Sequence, residues 1–141
     1  MCLLDEVIEW SADHIRCRST THGRADNALR AHDRLGVACG VEYAAQAMAV
    51  HGALRAAAVD AQSAQATPVA RPGMLSSVRG LAMHVDRLDD IDGDLYASAK
   101  YLNGDASMVL YEFSVGDSSR TLLEGRATIA FANRVPAGAA S

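Results

Sequence analysis

Three features that would place the protein in a familiar class are missing from its sequence. Paired cysteines are absent: Cys2, Cys17 and Cys39 form no CxxC motif and their odd number leaves one over, a pattern typical of reduced thiols in the cytosol. No run reaches the ~18 consecutive apolar residues that a membrane span needs. Positive charge is not in excess, since the formal net charge is -4, whereas nucleic acids and anionic membranes favour basic partners. We therefore predict a cytoplasmic protein that neither spans a membrane nor binds nucleic acid.

Metal-ligand spacing is lacking as well, because no histidine, cysteine or acidic residues are placed as zinc ligands are. We predict no metal site and no cofactor. What the sequence has is the length and composition of one globular domain, with 141 residues, 50% of them hydrophobic and 21% charged. We assign residues 1–132 to this domain and interpret residues 133–141 as a flexible C-terminal tail.

One long helix is indicated at residues 37–58. This segment is rich in alanine, the best helix former, and contains no proline. It is apolar almost all the way round, which is typical of a helix buried on most sides. Its small side chains would let a surrounding sheet approach the helix backbone closely.

Alternating apolar and polar residues indicate strands on both sides of this helix. Two strands precede it and four follow it, at residues 3–10, 14–20, 81–85, 95–101, 109–115 and 127–131. Residues 22–34 are interpreted as a loop and residues 59–73 as a linker. This order predicts an α+β fold in which one antiparallel sheet curls around one central helix. Because such a sheet leaves an edge and part of the helix uncovered, we expect a dimer.

Glu42 is unusual among the residues of the predicted helix. It lies in the stretch GVEYAAQAMAV, which is otherwise suited to burial, and glutamate is almost never fully buried without a partner. Gln46 lies about 40° away on the same helix face, close enough to share a polar contact. The helix start favours an ionised carboxylate. Two interpretations stay open, a functional acid and an exposed acid of the first helical turn.

Two segments, MCLLDEV at residues 1–7 and GVEYAAQA at residues 40–47, resemble the hotdog 3-hydroxyacyl-acyl-carrier-protein dehydratases. In that family a strand with the pattern LLxDxV precedes a helix that carries a catalytic acid and, four residues later, a glutamine. A divergent branch with GIEYMAQ is more similar still, and its members are predicted dehydratases of aryl polyene and related pigment biosynthesis. The resemblance implies a hotdog fold, with five or six antiparallel strands curled around one buried helix. The family usually has more chain before the first strand, so we expect the true start upstream of Met1.

The resemblance also implies a reaction, the dehydration of a 3-hydroxyacyl thioester on acyl carrier protein or coenzyme A. The family assigns protonation of the departing hydroxyl to the helix acid, here Glu42, and removal of the proton beside the carbonyl to a histidine. The developing enolate needs hydrogen-bond donors, and we expect the N–H groups of Gly36 and Val37 at the helix start to be uncommitted. We also expect Gln46 and Met48 to contact the substrate, with Met48 lining a groove for the acyl chain.

The histidine is where the sequence departs from the family pattern. The family places it in a GHFPG loop about fourteen residues before the acid, but counting back from Glu42 gives Ala28 and no such motif. His22 and His32 lie in the same loop segment and are the candidate bases, with a solvated loop position as the alternative for each. His51 lies about 180° round the helix from Glu42 and cannot share its site.

Three other functions stay open. Without the GHFPG loop, the chain could be a catalytically impaired dehydratase-like subunit that pairs with an active paralogue. It could also be a hotdog acyl thioesterase, in which a carboxylate on the same helix directs water at the thioester carbonyl. A binding module without thioester chemistry is the third alternative.

Overall fold

The computed structural model describes residues 2–62, 73–105 and 107–131. They form one α-helix, α1 (Gly40–Gln62), two short 3₁₀ turns (Thr21–Gly23 and Val37–Cys39) and six strands. The strands are β1 (Glu6–Trp10), β2 (His14–Ser19), β3 (Gly73–Met83), β4 (Leu95–Gly104), β5 (Met108–Gly116) and β6 (Thr121–Phe131).

All six strands belong to one antiparallel sheet in the order β1-β2-β4-β5-β6-β3. Strand β3 therefore lies at one edge beside β6, and β1 forms the other edge. The pairing of β3 with β6 shifts register between Leu75 and Ser77 and again between Arg79 and Ala82. Gly80 lies in the second shift with φ +61°, a conformation that glycine adopts without steric cost.

The core lies between the sheet and α1, which contacts every strand from β2 to β6. Period-two alternation turns one side of each central strand towards the helix. In β4 these inward residues are Leu95, Ala97 and Ala99, all buried. Small residues allow close packing on the helix side: a Cβ at Gly52 would lie 2.5 Å from the Phe131 ring. The predicted α+β arrangement is thereby confirmed.

Several element boundaries differ from the predictions. The predicted helix start at residues 37–39 is a 3₁₀ turn, and α1 continues to Gln62, so the linker prediction is wrong for residues 59–62. It is also wrong for Gly73, where β3 begins, eight residues before the predicted strand. The first strand begins at Glu6 and not at residue 3, because the Leu3 N–H donates to the Gln46 side chain on α1. The rest of the predicted linker, residues 63–72, and the predicted tail lie outside the described residues.

In the described part of the chain, no helix is both long and apolar enough to cross a membrane.

Candidate active site

Glu42 lies in the first turn of α1 and is exposed. Its carboxylate makes no hydrogen bond or ion pair with the residues the structure describes, and the predicted contact with Gln46 is not formed. The Gln46 Oε1 instead accepts the Leu3 N–H at 2.8 Å. Glu42 lies close enough to Cys39 that its charge raises the pKa of that thiol, which burial raises more strongly. Cys39 is thus held as a neutral thiol beside an open carboxylate.

His22 is buried, unlike the solvated loop histidine considered as its alternative. It lies in the 3₁₀ turn Thr21–Gly23 with 3% of its surface exposed. Its Nε2 is 3.0 Å from the Ile91 carbonyl oxygen, which can only accept a hydrogen bond, so Nε2 carries the proton. The Nδ1 atom is buried and has no hydrogen-bond partner among the described residues. Neutral His22 therefore presents an unshared lone pair at Nδ1, as a general base requires.

His32 occupies a very different position. It is exposed in a tight turn with Asp33, and both residues have positive φ, 53° and 61°. Ala31 and Arg34 close this turn with reciprocal backbone hydrogen bonds. This is the geometry of a two-residue type I′ turn, which asparagine and glycine favour. The described structure gives the His32 ring no polar partner, so of the two candidate bases His22 has the better position.

The strained turn leads to a stability prediction. Replacing His32 with asparagine and Asp33 with glycine is expected to raise the free energy of unfolding by about 1 kcal/mol, because both new residues tolerate left-handed backbone. Urea denaturation measures this. The matched control is Ala25→Gly at an exposed position of the same loop, which should bring no gain. If the double variant folds well but loses catalytic turnover, the turn of His32 and Asp33 contributes to the reaction.

The positions of Val37 and Met48 require corrections. The prediction that the Val37 N–H is uncommitted is wrong, because it donates to the Asp86 carbonyl at 3.0 Å as the segment 84–91 packs along the helix start. The Gly36 N–H makes no such bond in the described part of the chain and stays a candidate oxyanion donor. Met48 is fully buried in the core, so it lines no open groove in the single chain.

His51 is buried on the sheet side of α1 in a hydrogen-bonded network that the sequence analysis missed. Its Nδ1 accepts the Tyr111 hydroxyl at 2.8 Å, and its Nε2–H donates to the Ser11 carbonyl at 2.8 Å. Burial lowers the pKa of His51 and raises the pKa of Tyr111 to about 12, which keeps both groups neutral. Both ring nitrogens are satisfied, so His51 joins the helix, β5 and the β1–β2 turn and has no free lone pair for catalysis.

An open groove of about 1070 Å³ crosses the sheet face that points away from α1. Lys100, Glu112 and Arg126 line it from neighbouring strands. It contains none of the predicted site residues. Among the described residues, no group of three or more histidine, cysteine or acidic residues could hold a metal ion.

The sequence and the fold were compared with those of known proteins. The family model of the ApeP-like proteins, described as ApeP dehydratase, matches residues 1–136. The dehydratase heterocomplex ApeI:P from Xenorhabdus doucetiae matches with a TM-score of 0.74 at 22% identity, covering 94% of this chain and 84% of that chain. A thioesterase from Haemophilus influenzae matches with a TM-score of 0.62 at 12% identity, covering 91% and 78%. No curated protein matches significantly. The structural similarities confirm the predicted hotdog fold.

Proposed function

The chain belongs to the ApeP-like dehydratase family, and we propose that it removes water from a 3-hydroxyacyl thioester carried on acyl carrier protein or coenzyme A. The observation that carries this proposal is the buried, unpartnered Nδ1 of His22. A buried polar atom without a partner is rare in folded proteins and calls for an explanation. A substrate proton would supply the missing partner.

In the proposed reaction His22 Nδ1 takes the proton from the carbon beside the thioester carbonyl. The electron pair left behind forms the carbon–carbon double bond as the bond between C3 and the hydroxyl oxygen breaks. Glu42 gives its proton to that oxygen, which leaves as water. The Gly36 N–H is the candidate donor to the thioester oxygen while negative charge develops there.

The exposure of Glu42 supports a site that a second chain completes. A carboxylate open to water does not exclude solvent from the reacting atoms. Covering it with another hotdog chain would remove that solvent. We therefore propose that the active form is a homodimer or a heterodimer with a related hotdog protein, and the similarity to a dehydratase heterocomplex supports the second form.

The test uses the reverse reaction, the hydration of an enoyl thioester. The loss of enoyl absorbance measures the rate of this hydration. The chain is assayed alone and mixed with a hotdog paralogue, on coenzyme A and on carrier-protein thioesters. Hydration that requires this chain supports the proposal. Release of free thiol from acyl thioesters without hydration would instead identify a thioesterase, and no reaction in either assay would contradict both.

A second candidate is a dehydratase-like subunit without a catalytic role of its own. The absence of a GHFPG loop favours it, as does the similarity to a heterocomplex. In that case activity would appear only in the mixture and would survive Glu42→Gln in this chain. Loss of the mixture's activity on the same substitution would assign Glu42 to the reacting site.

The β3 edge is the surface on which we expect the partner to dock. It is an eleven-residue strand with one free edge, whereas the opposite edge, β1, has five residues. Its apolar side chains Met74 and Met83 are 71% and 51% exposed. Long, apolar, unpaired edges are rarely left uncovered in soluble proteins.

Charged residues on this edge should prevent association. The double substitution Met74→Lys and Met83→Lys is expected to raise the dimer dissociation constant at least about 100-fold, because two apolar contacts are lost and two charges are desolvated. Sedimentation velocity over a concentration series measures it. Met108→Lys, an exposed methionine on β5, is the matched control. An unchanged dissociation constant would place the interface elsewhere.

A further inference from the structure

Tyr43 follows Glu42 directly on α1 and lies on a different side of the helix. Its side chain is fully buried, and its hydroxyl lies 2.8 Å from the Thr21 Oγ1 and 3.0 Å from the Asn27 Nδ2. Thr21 precedes His22, and Asn27 lies further along the same loop. A single hydroxyl on the helix thus holds two points of the loop that carries His22.

The direction of each hydrogen bond in this cluster follows from its donors. The Asn27 amide donates to the Tyr43 oxygen, and the Thr21 hydroxyl donates to the Leu3 carbonyl. Because the only proton of Thr21 is used there, the Tyr43 O–H must donate to the Thr21 Oγ1. Burial raises the pKa of Tyr43, so the hydroxyl keeps its proton. That proton is committed to Thr21, which leaves Tyr43 without a proton for a substrate.

The same cluster fixes the backbone beside His22. The Asn27 amide also donates to the Thr21 carbonyl at 3.0 Å, and the Arg24 N–H donates to that carbonyl at 3.1 Å. On its other side the ring of His22 is bonded to Ile91. The contacts of Tyr43 with Thr21 and Asn27 therefore help to hold the His22 ring in its position relative to α1.

We propose that Tyr43 is a positioning residue whose hydroxyl, acting through Thr21 and Asn27, fixes His22 against the helix that carries Glu42. The catalytic consequence rests on the proposed dehydratase function, while the placement of His22 does not. In general, displacing a reacting group by about 1 Å can cost on the order of 100-fold in rate.

The test compares Tyr43→Phe with wild-type protein, with Tyr101→Phe as the control. Tyr101 loses a hydroxyl bond to the Gly104 carbonyl, away from the His22 loop. Tyr43→Phe is expected to lower kcat for enoyl-thioester hydration about 10- to 100-fold with KM changed less than about twofold. The nitrogen NMR signals of His22 should shift and broaden. Tyr101→Phe should alter neither readout.

A second pair of variants covers the case in which Tyr43→Phe does not fold. Thr21→Val removes the hydroxyl at constant shape and should reproduce both effects, whereas Thr21→Ser keeps it and should restore them. Wild-type His22 signals in Tyr43→Phe, or in Thr21→Val if only that variant folds, would overturn the inference whatever the activity. Shifted signals in a chain that hydrates no thioester would contradict the dehydratase proposal and leave the positioning role standing.

Discussion

Glu42→Gln is expected to lower kcat for enoyl-thioester hydration by about 10²- to 10⁴-fold, the usual contribution of a general acid or base. The amide keeps the shape of the side chain but cannot give up or accept the transferred proton. Since Glu42 is exposed and without a hydrogen-bond partner in the described chain, the substitution should leave the free energy of unfolding almost unchanged. Stopped-flow or steady-state absorbance at saturating substrate measures the loss.

The matched control is Glu112→Gln, an exposed glutamate on β5 that lines the groove on the far face of the sheet. It removes the same charge from the chain and should retain full turnover. Equal kcat values for the Glu42 variant and the wild type would exclude Glu42 from the mechanism. Equal losses in both variants would point to a general effect of charge and not to a specific acid.

His51→Leu is expected to lower the free energy of unfolding by about 2–4 kcal/mol at pH 7.5. Leucine is similar in size, but it leaves the Tyr111 hydroxyl and the Ser11 carbonyl, both bonded to the ring in the native protein, without their partner. Urea denaturation followed by circular dichroism gives the difference. The control is His84→Gln at an exposed site beside Glu124, where the expected change is below about 0.5 kcal/mol.

We expect the difference in unfolding free energy between the wild type and His51→Leu to depend on pH. Burial lowers the pKa of His51 in the folded state below its ordinary value of 6.5, so the unfolded chain binds the proton first. The stability that neutral His51 contributes is fully present above about pH 6.5 and is lost as the pH falls below it, by up to about 1.4 kcal/mol per pH unit. The difference between wild type and His51→Leu should therefore shrink between pH 6.5 and pH 5. A difference that stays constant would mean that His51 titrates normally.

Local patterns predicted the elements that local physics determines. The alanine-rich segment around residues 40–58 forms a helix because propensity and small volume agree there, and the alternation in 95–101 and 109–115 places the expected residues in the core. Strand β3 shows where prediction from a local pattern fails. Its apolar residues Leu81 and Met83 alternate as in a half-buried strand but are exposed, because the chain returns to pair with β6 at the sheet edge. Such non-local pairing leaves no trace in a short window.

The candidate site was predictable only where a local sequence pattern reveals it. Glu42 could be singled out because a charge in an apolar helix is improbable without a cause. The sequence could not rank His22 above His32, because burial of a loop histidine depends on the Ile91 carbonyl, 69 positions away. The network of His51 was missed although it has a sequence signal. Tyr111 is a hydroxyl-bearing residue at an inward position of a strand, and a buried hydroxyl needs a partner on the facing helix.

The two register shifts in β3 have a consequence for how the protein behaves in concentrated solution. The shifts divide the ladder into three short regular stretches at residues 73–75, 77–79 and 82–83, so the free edge is never a long flat template. Open-ended addition of strands, the route to fibrous aggregates, requires such a template. A partner strand with register shifts at the corresponding positions can still pair with this β3 edge. The irregular edge thus favours one closed pair over indefinite growth, although it exposes methionines that would otherwise promote aggregation.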